Sequence, residues 1–385
     1  MRFMFNDSEA VCPHCLRKLS FGGVKFFCVP DEDSRHEVRP TIADRFKRRL
    51  PVCRRQLCRN KGLTIREAVC RACGEKIPPQ LIFHDKYLSF CAVGVSGAGK
   101  SSYMTTLLHE LKYSGLPWVF QAMDVETTQR AQVNEQLVYE ERLCLRGTKA
   151  GISPRPQLWT ILDNSKPNDR VPTYAMTIYD GAGEDCERID YTPMDAKISR
   201  YLSGAKMLMI MFDPLLLSSV RGEISNDVLN ASMATDRQSS APANMVSMVN
   251  SLANYIRRAC NIAPGKRIDR RAAVVLTKLD ALTEMINGFA SGATILKQSP
   301  HIQSKAFVES DSEMVDLEIR DWLTRQGETA FTDAIDANFR NVRVFGVSSF
   351  GRPPDLHKRL AKVRPHRVLD PLMWLLAAEG IIPTI

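Results

Sequence analysis

The chain has no long hydrophobic run. Nothing in its 385 residues approaches the ~18 consecutive apolar positions that a membrane-spanning helix requires. The richest run, Met207-Leu208-Met209-Ile210-Met211-Phe212, has the length of a buried strand. The opening residues, Met1-Arg2-Phe3-Met4-Phe5-Asn6-Asp7, turn polar before the apolar core of a signal peptide can form. A cytoplasmic, reducing location is therefore expected, with cysteines that are not oxidised to disulfides. No Ser-His-Asp spacing stands out, and Cys91, Cys144, Cys186 and Cys260 have no paired histidine, so nucleophilic hydrolysis is not indicated. The composition, 44% hydrophobic and 25% charged, is that of a globular chain rather than a disordered one. The length suits one large core plus a small accessory module.

Cysteine and charge are unevenly spread. Seven of the eleven cysteines lie before residue 80, and residues 1–86 carry 18 Lys/Arg against 10 Asp/Glu of a chain whose net charge is +9. Residues 1–85 thus read as a basic, Cys-rich domain. Cys12-Pro13-His14-Cys15 and Cys70-Arg71-Ala72-Cys73 are two C-x-x-C pairs. Each pair offers two thiolates on one tight turn, and a tetrahedral zinc ion wants four. Cys12, Cys15, Cys70 and Cys73 are the expected ligands of a zinc ribbon or treble clef. The intervening stretch holds Cys28, His36, Cys53 and Cys58, a candidate second zinc set. His14 reads as a bystander inside the first pair. The basic run from Arg45 to Lys61 has no aromatic residue after Phe46. Single-strand binders stack bases on interleaved aromatics, so a solvated basic face is favoured over a nucleic-acid grip. Ile77-Pro78-Pro79-Gln80 marks the boundary with the rest of the chain.

In residues 86–385, apolar β-branched runs alternate with helical patterns. Strands are expected at 87–94, 118–123, 158–163, 173–180, 206–213, 271–277 and 341–347. Helices are expected at 100–113, 126–145, 187–203, 242–260, 314–338 and 366–380. That alternation predicts an α/β fold with a mostly parallel sheet between layers of helices. The stretch from Ser218 to Ala243 shows no periodicity and reads as an inserted loop.

Gly94-Val95-Ser96-Gly97-Ala98-Gly99-Lys100-Ser101 follows the first of these strands and opens a helix that continues through Ser102. This is the phosphate-binding loop pattern of nucleoside triphosphatases, in the context that gives it meaning. Its glycines let backbone N–H groups turn towards phosphate oxygens at a helix N-terminus. Lys100 is the expected β/γ-phosphate contact, and Ser101 an Mg²⁺ ligand. A second strand ends in Asp180-Gly181-Ala182-Gly183. There Asp180 is expected to face Mg²⁺ and the Gly183 N–H to sense the γ-phosphate. A third strand leads into Thr277-Lys278-Leu279-Asp280, whose Asp can accept from guanine N1–H and the exocyclic amine, a donor pair that adenine lacks. Ser348 and Ser349 follow the last strand as the remaining base loop.

In this order the motifs resemble the TRAFAC class of P-loop GTPases, over roughly residues 86–380. Within that class the chain is similar to bacterial double-GTPase families associated with conflict systems. That likeness rests on the Cys70-Arg71-Ala72-Cys73-Gly74 knuckle, Asp180-Gly181-Ala182-Gly183-Glu184, Phe212-Asp213-Pro214-Leu215, and Asp370-Pro371-Leu372-Met373-Trp374-Leu375-Leu376. The resemblance implies a three-layer P-loop NTPase domain at 86–385 that binds and hydrolyses GTP with Mg²⁺. It also implies a switch role in a multi-component bacterial system, reporting to a protein effector or a second GTPase protomer.

Two departures bear on turnover. Glu184 stands where a Ras-like enzyme has the glutamine that orients water, so slow intrinsic hydrolysis is expected, with an arginine supplied by a partner. The switch I threonine has several candidates, Thr127, Thr128, Thr148 and Thr160. Thr148, in Gly147-Thr148-Lys149-Ala150-Gly151, is preferred as catalytic residue and Mg²⁺ ligand. Two alternatives stay open: a nucleic-acid-binding zinc adaptor gated by nucleotide, and a GTP-binding scaffold without useful turnover.

Overall fold

Two sheets organise the chain. A computed structural model describes residues 10–31, 34–47, 49–56, 58, 65–95, 97–145, 155–165, 171–180, 201–202, 204–232, 245–283, 285 and 288–385. The smaller sheet comprises β1 (Val24–Asp31), β2 (Ser34–Val38), β3 (Glu67–Cys70) and β4 (Lys76–Ile77), in the order β2-β1-β3-β4. All its pairings are antiparallel. The larger sheet comprises β5 (Lys86–Val93), β6 (Trp118–Ala122), β7 (Gln157–Asp163), β8 (Thr173–Asp180), β9 (Met207–Phe212), β10 (Ile268–Leu276) and β11 (Phe339–Gly346). Its order is β11-β10-β9-β5-β8-β7-β6. The expected α/β architecture with a large, mostly parallel sheet is thus present.

The chain forms two compact units. Met1–Leu88, Pro117–Thr128 and Pro156–Thr177 make the first; Ser89–Leu116, Gln129–Arg155 and Ile178–Ile385 make the second. In the first, a small core gathers Leu19, Phe26, Ile65, Ala68 and Ile77 together with five buried cysteines. So modest an apolar set is typical of modules that need an added staple.

The second unit is built on parallel pairing of β5 with β9, β9 with β10, and β10 with β11. Every residue of β9 is buried, as a central parallel strand covered on both faces requires. Register places Phe212, Leu276 and Gly346 in one row, so three strands end together. Its main helices are α1 (Lys100–Tyr113), α3 (Met245–Cys260), α4 (Glu309–Arg325), α5 (Thr329–Asn338) and α6 (Asp370–Ala378). Helix α2 (Val125–Glu135) lies between β6 and β7 in sequence.

Three expectations are corrected. The helix predicted over 314–338 is two helices, α4 and α5. Gly327 takes φ +80 between them, a left-handed conformation that ends a helix. The helix predicted over 126–145 stops at Glu135 and gives way to a π turn, Gln136–Glu140. The stretch from Ser218 to Ala243 begins with two short helices, Ser218–Glu223 and Asn226–Ser232, anchored by buried Val220, Ile224 and Ala231. The helix expected at 187–203 falls almost wholly outside the described residues.

A charged hub fixes the C-terminal helix. The Arg367 side chain, fully buried, donates to Asp311 at 2.9 and 3.0 Å and to Asp370 at 2.7 Å. It also donates to the carbonyls of Lys297 and Thr294. His301 lies beside the same carboxylates, 3.9 Å from each. Its Nδ1 accepts the Val308 N–H, so the neutral ring carries its hydrogen on Nε2 and offers no metal lone pair there. Burial pushes the His301 pKa down, against the pull of Asp370 and Asp311. One residue on, the Val368 carbonyl accepts from Tyr103 of α1 at 3.0 Å. Replacing Arg367 by Met leaves the buried Asp370 and the half-buried Asp311 without this counter-charge. Urea unfolding of Arg367→Met should show a loss of about 3–5 kcal/mol; an unchanged midpoint would contradict the hub's role.

Candidate functional site

The motif residues of the second unit sit at strand ends. Ligands of open parallel sheets bind beyond the carboxyl ends of strands, where strand order reverses. The order around β5 reverses in this way, since its neighbours are β9 and β8. The phosphate-loop residues leave β5 there. Gly94 has no room for a side chain: a Cβ would lie 2.6 Å from the Met211 carbonyl oxygen of β9. Gly99 takes φ +83 as the N-cap of α1, and open space lies where its Cβ would be. Ala98 N–H donates to Val95 O, closing the turn at 3.2 Å. Lys100 is buried and curls back over the loop, its Nζ donating to Gly94 O at 2.9 Å and Val95 O at 3.0 Å. Thr105 and Thr106 hydroxyls donate to the Ser101 and Ser102 carbonyls one turn back. The loop therefore offers turned amides at a helix N-terminus, an ammonium and a hydroxyl, which is the donor set a triphosphate with Mg²⁺ requires.

Asp180 ends β8 and is buried. Its Oδ2 accepts from Arg130 Nη2 at 2.8 Å. Burial pushes the Asp180 carboxyl up, while the charges of Arg130 and Lys100 draw it down. Ser96, Thr148, Gly183 and Glu184 lie outside the described residues. The other switch I candidates already serve the first unit. Thr127 Oγ1 accepts the Leu158 N–H, Thr128 Oγ1 donates to Asp124 O, and Thr160 Oγ1 bonds His84 Nε2.

The base motif follows β10, two strands from β5, a separation of about 10 Å that a nucleotide spans from base to phosphates. Thr277 ties the loop down through N–H and Oγ1 donations to Phe212 O, at 2.9 and 3.0 Å. Lys278 takes φ +52 and sends Nζ to Asp213 Oδ2 at 2.6 Å and Ser232 O at 2.9 Å. Asp213 uses its other oxygen to accept from Leu215 N–H. Asp280 accepts from Ser348 Oγ at 2.5 Å, and Ser348 Oγ in turn accepts from Gly351 N–H at 2.7 Å. Burial pushes the Asp280 carboxyl up, and the Ser348 hydrogen bond opposes that rise. Ser348 is thus a holder of the Asp280 carboxylate as well as a loop residue. Ser349 follows it, half-buried. The sequence pattern flagged the Asp213-Pro214-Leu215 stretch but not its role of gripping Lys278. Arg130 carried no sequence signal beyond lying between the phosphate loop and Asp180.

The first unit brings the cysteines together. Cys12, Cys15, Cys70 and Cys73 form one group and Cys28, His36, Cys53 and Cys58 another; within each group the ligand atoms lie within 4.8 Å of one another. The two C-x-x-C turns share one backbone plan. The first cysteine's carbonyl accepts from the residue four on (Leu16, Gly74), and its N–H donates to the residue five on (Arg17, Glu75). Leu16 and Gly74 both take positive φ. The Cys12–Cys73 and Cys15–Cys70 sulfurs are each 3.8 Å apart. A tetrahedron with metal–sulfur bonds of ~2.3 Å has edges of about 3.8 Å, so the donor set fits zinc. His36 Nε2 is 3.0 Å from the Cys53 sulfur and 3.8 Å from that of Cys58. His14 instead bonds the Lys76 carbonyl. Burial pushes the Cys28 thiol up to about 12 and that of Cys73 up to about 11. These thiols hold their protons at neutral pH unless a cation offsets the charge.

No protein-family model matches the chain, and no curated protein matches it. Among solved structures it matches the Saccharomyces cerevisiae Ski7 GTPase-like domain bound to GTP, at 13% identity and a TM-score of 0.27, over 69% of this chain and 43% of that one. The same domain bound to GDP and inorganic phosphate matches at 12% identity and a TM-score of 0.27, over 69% and 44%. The chain spans less than half the length of these structures. At such values the likeness carries no argument, and the site stands on its own residues.

Metal analysis of the purified chain should find two zinc ions per molecule. Cys70→Ala should remove one and leave the other. Since uptake displaces thiol protons, retention should weaken as pH falls. Two ions retained by Cys70→Ala would separate this thiol from metal binding.

Proposed function

We propose that the chain is a GTP-binding and GTP-hydrolysing switch that works with Mg²⁺ and carries a zinc-stabilised N-terminal module. The observation that carries this is the pairing of Asp280 with Ser348, on loops that leave β10 and β11 two and three strands from the phosphate loop of β5. A carboxylate held at that distance from a phosphate cradle is placed to select a base.

The residues divide the work. Asp280 accepts from the guanine N1–H and amino group, oriented by Ser348. Lys278, gripped by Asp213, sets the loop whose next turn presents Asp280. Lys100 exchanges its two loop carbonyls for phosphate oxygens, trading neutral acceptors for charged ones, which form stronger bonds. Ser101 and Asp180 are the residues that would hold Mg²⁺, a Lewis acid that neutralises charge between the β- and γ-phosphates. Glu184, in place of a water-orienting amide, supports slow turnover. Thr148 remains the proposed switch I residue, and Gly183 the γ-phosphate sensor. In the first unit Cys12, Cys15, Cys70 and Cys73 would hold one zinc ion, and Cys28, His36, Cys53 and Cys58 a second. A role in a multi-component bacterial conflict system rests on the sequence resemblance alone.

Asp280→Asn should move preference from guanine towards xanthine nucleotides by at least about tenfold, the size of one charge-assisted hydrogen bond. Competition binding with GTP, XTP and ATP reads this directly. Because burial raises the Asp280 pKa, guanine affinity should fall on the acid side at a pH above the ordinary carboxylate range. Equal affinity of the unaltered protein for ATP and GTP would overturn the guanine assignment.

A further inference from the structure

We propose that Arg130 is the arginine of this site, supplied in cis, which rests on Asp180 and passes to the phosphates when Mg²⁺ takes that carboxylate. This deepens the proposed function and rests on it.

Three observations carry it. Asp180 has a side chain only 3% exposed, and Arg130 is its counter-charge through a 2.8 Å bond to Oδ2. A carboxylate so buried needs a cation, and Mg²⁺ would claim the same oxygens. Arg130 holds Oδ2; a dication on the same carboxylate competes for its charge and repels the guanidinium at such range, so metal binding favours its release. Second, Asp180 ends β8, which lies beside β5 in the sheet, and β5 runs into the loop that leads to Lys100 at the start of α1. An arginine released from Asp180 is therefore already beside the phosphate cradle, and its planar fork matches phosphate oxygens. Third, its carrier is lightly packed. Thr127 is the sole buried residue of the eleven in α2, and Val125 and Val133 are 70% and 56% exposed. A helix with so few buried contacts can shift at low cost. Among the described residues the other guanidinium contact, Nη1 to Arg155 O, is long at 3.4 Å.

In the reaction, the water oxygen bonds to the γ-phosphorus as the bond to the β–γ bridging oxygen breaks. The electron pair stays on that oxygen of GDP, and the water's proton ends on the released phosphate. Arg130 meets the negative charge that grows on the phosphate oxygens during this exchange, the part that arginine plays in trans in other switches. No partner arginine is then required.

The test uses the full chain with a fluorescent GTP analogue that resists hydrolysis, titrated with Mg²⁺, and with GDP plus aluminium fluoride. Arg130→Ala and Arg130→Gln should lower the Mg²⁺ midpoint for analogue retention about tenfold, because the competitor for Asp180 is gone. Both should lose the aluminium-fluoride-dependent tightening of GDP while plain GDP affinity stays within about threefold, since only the transition-state-like complex needs the guanidinium. Arg130→Lys should restore the midpoint but not the tightening. Single-turnover hydrolysis should fall about 10³-fold in Arg130→Ala. An unchanged midpoint, or tightening retained by Arg130→Ala and Arg130→Gln, overturns the proposal and leaves the GTPase reading intact. If the unaltered chain and Lys100→Ala alike bind no guanine nucleotide at any Mg²⁺ concentration, the GTPase reading itself falls, and the Arg130 role with it.

Discussion

A carboxylate taken out of water must find a partner, and in the second unit that requirement fixes the working parts. Asp180 takes Arg130, Asp213 takes Lys278, Asp280 takes Ser348, and Asp311 with Asp370 takes Arg367. Removing one partner of such a pair costs more than the pair contributes, because a bare charge is left behind. The pairings therefore act as position locks more than as sources of net stability. They hold the strand-end loops in place.

The first unit solves a different problem. Its apolar core is small, and five of the residues packed into it are cysteines. Thiols clustered without a cation are held protonated by burial, as Cys28 and Cys73 show. The surroundings nevertheless favour charge on one of them: burial raises the Cys70 thiol, but the N–H groups of Ala72 and Cys73, with the neighbouring Cys12 and Cys73 thiols, bring the pKa below its ordinary value. Turns that aim amides at sulfur, at a matching site on each side, fit a module whose folding is coupled to metal uptake. Leu16 holds a left-handed conformation that costs roughly 1–2 kcal/mol in a residue with a side chain, a strain that the repeated turn plan explains.

Much of this was legible in the sequence, for a physical reason. The strands carrying the motifs are continuous apolar runs, and β8 spans the 173–180 expected of it. A phosphate loop and a C-x-x-C turn are contiguous, so spacing alone encodes their geometry. What was not legible joins distant elements. Arg130 and Asp180 are 50 residues apart, and Lys278 and Asp213 are 65 apart. No local pattern marks such pairs. Helix α2 was expected from the sequence, but a helix that buries one residue shows no amphipathic stripe to say which side chain faces the sheet, so the partner of Arg130 was not. The break between α4 and α5 is short, Gln326 to Glu328, and its mark is the positive φ of Gly327.

The tripeptide Asp-Pro-Leu occurs twice, at Asp213 and at Asp370, and the structure gives both copies the same task. In each the aspartate is buried beside a cation, Lys278 or Arg367, and the proline starts a helical turn. Proline suits that first position because its missing N–H has no partner to lose. The leucine that follows is fully buried in both, Leu215 and Leu372, and nails the turn to the core. The aspartate is thus fixed at both ends, by the strand or loop before it and by the anchored turn after it. A carboxylate so constrained can dictate where a long, flexible cation goes, rather than the reverse. At Asp370 the result is a static hub. At Asp213 it is the placement of Lys278, and with it the path of the loop that follows β10.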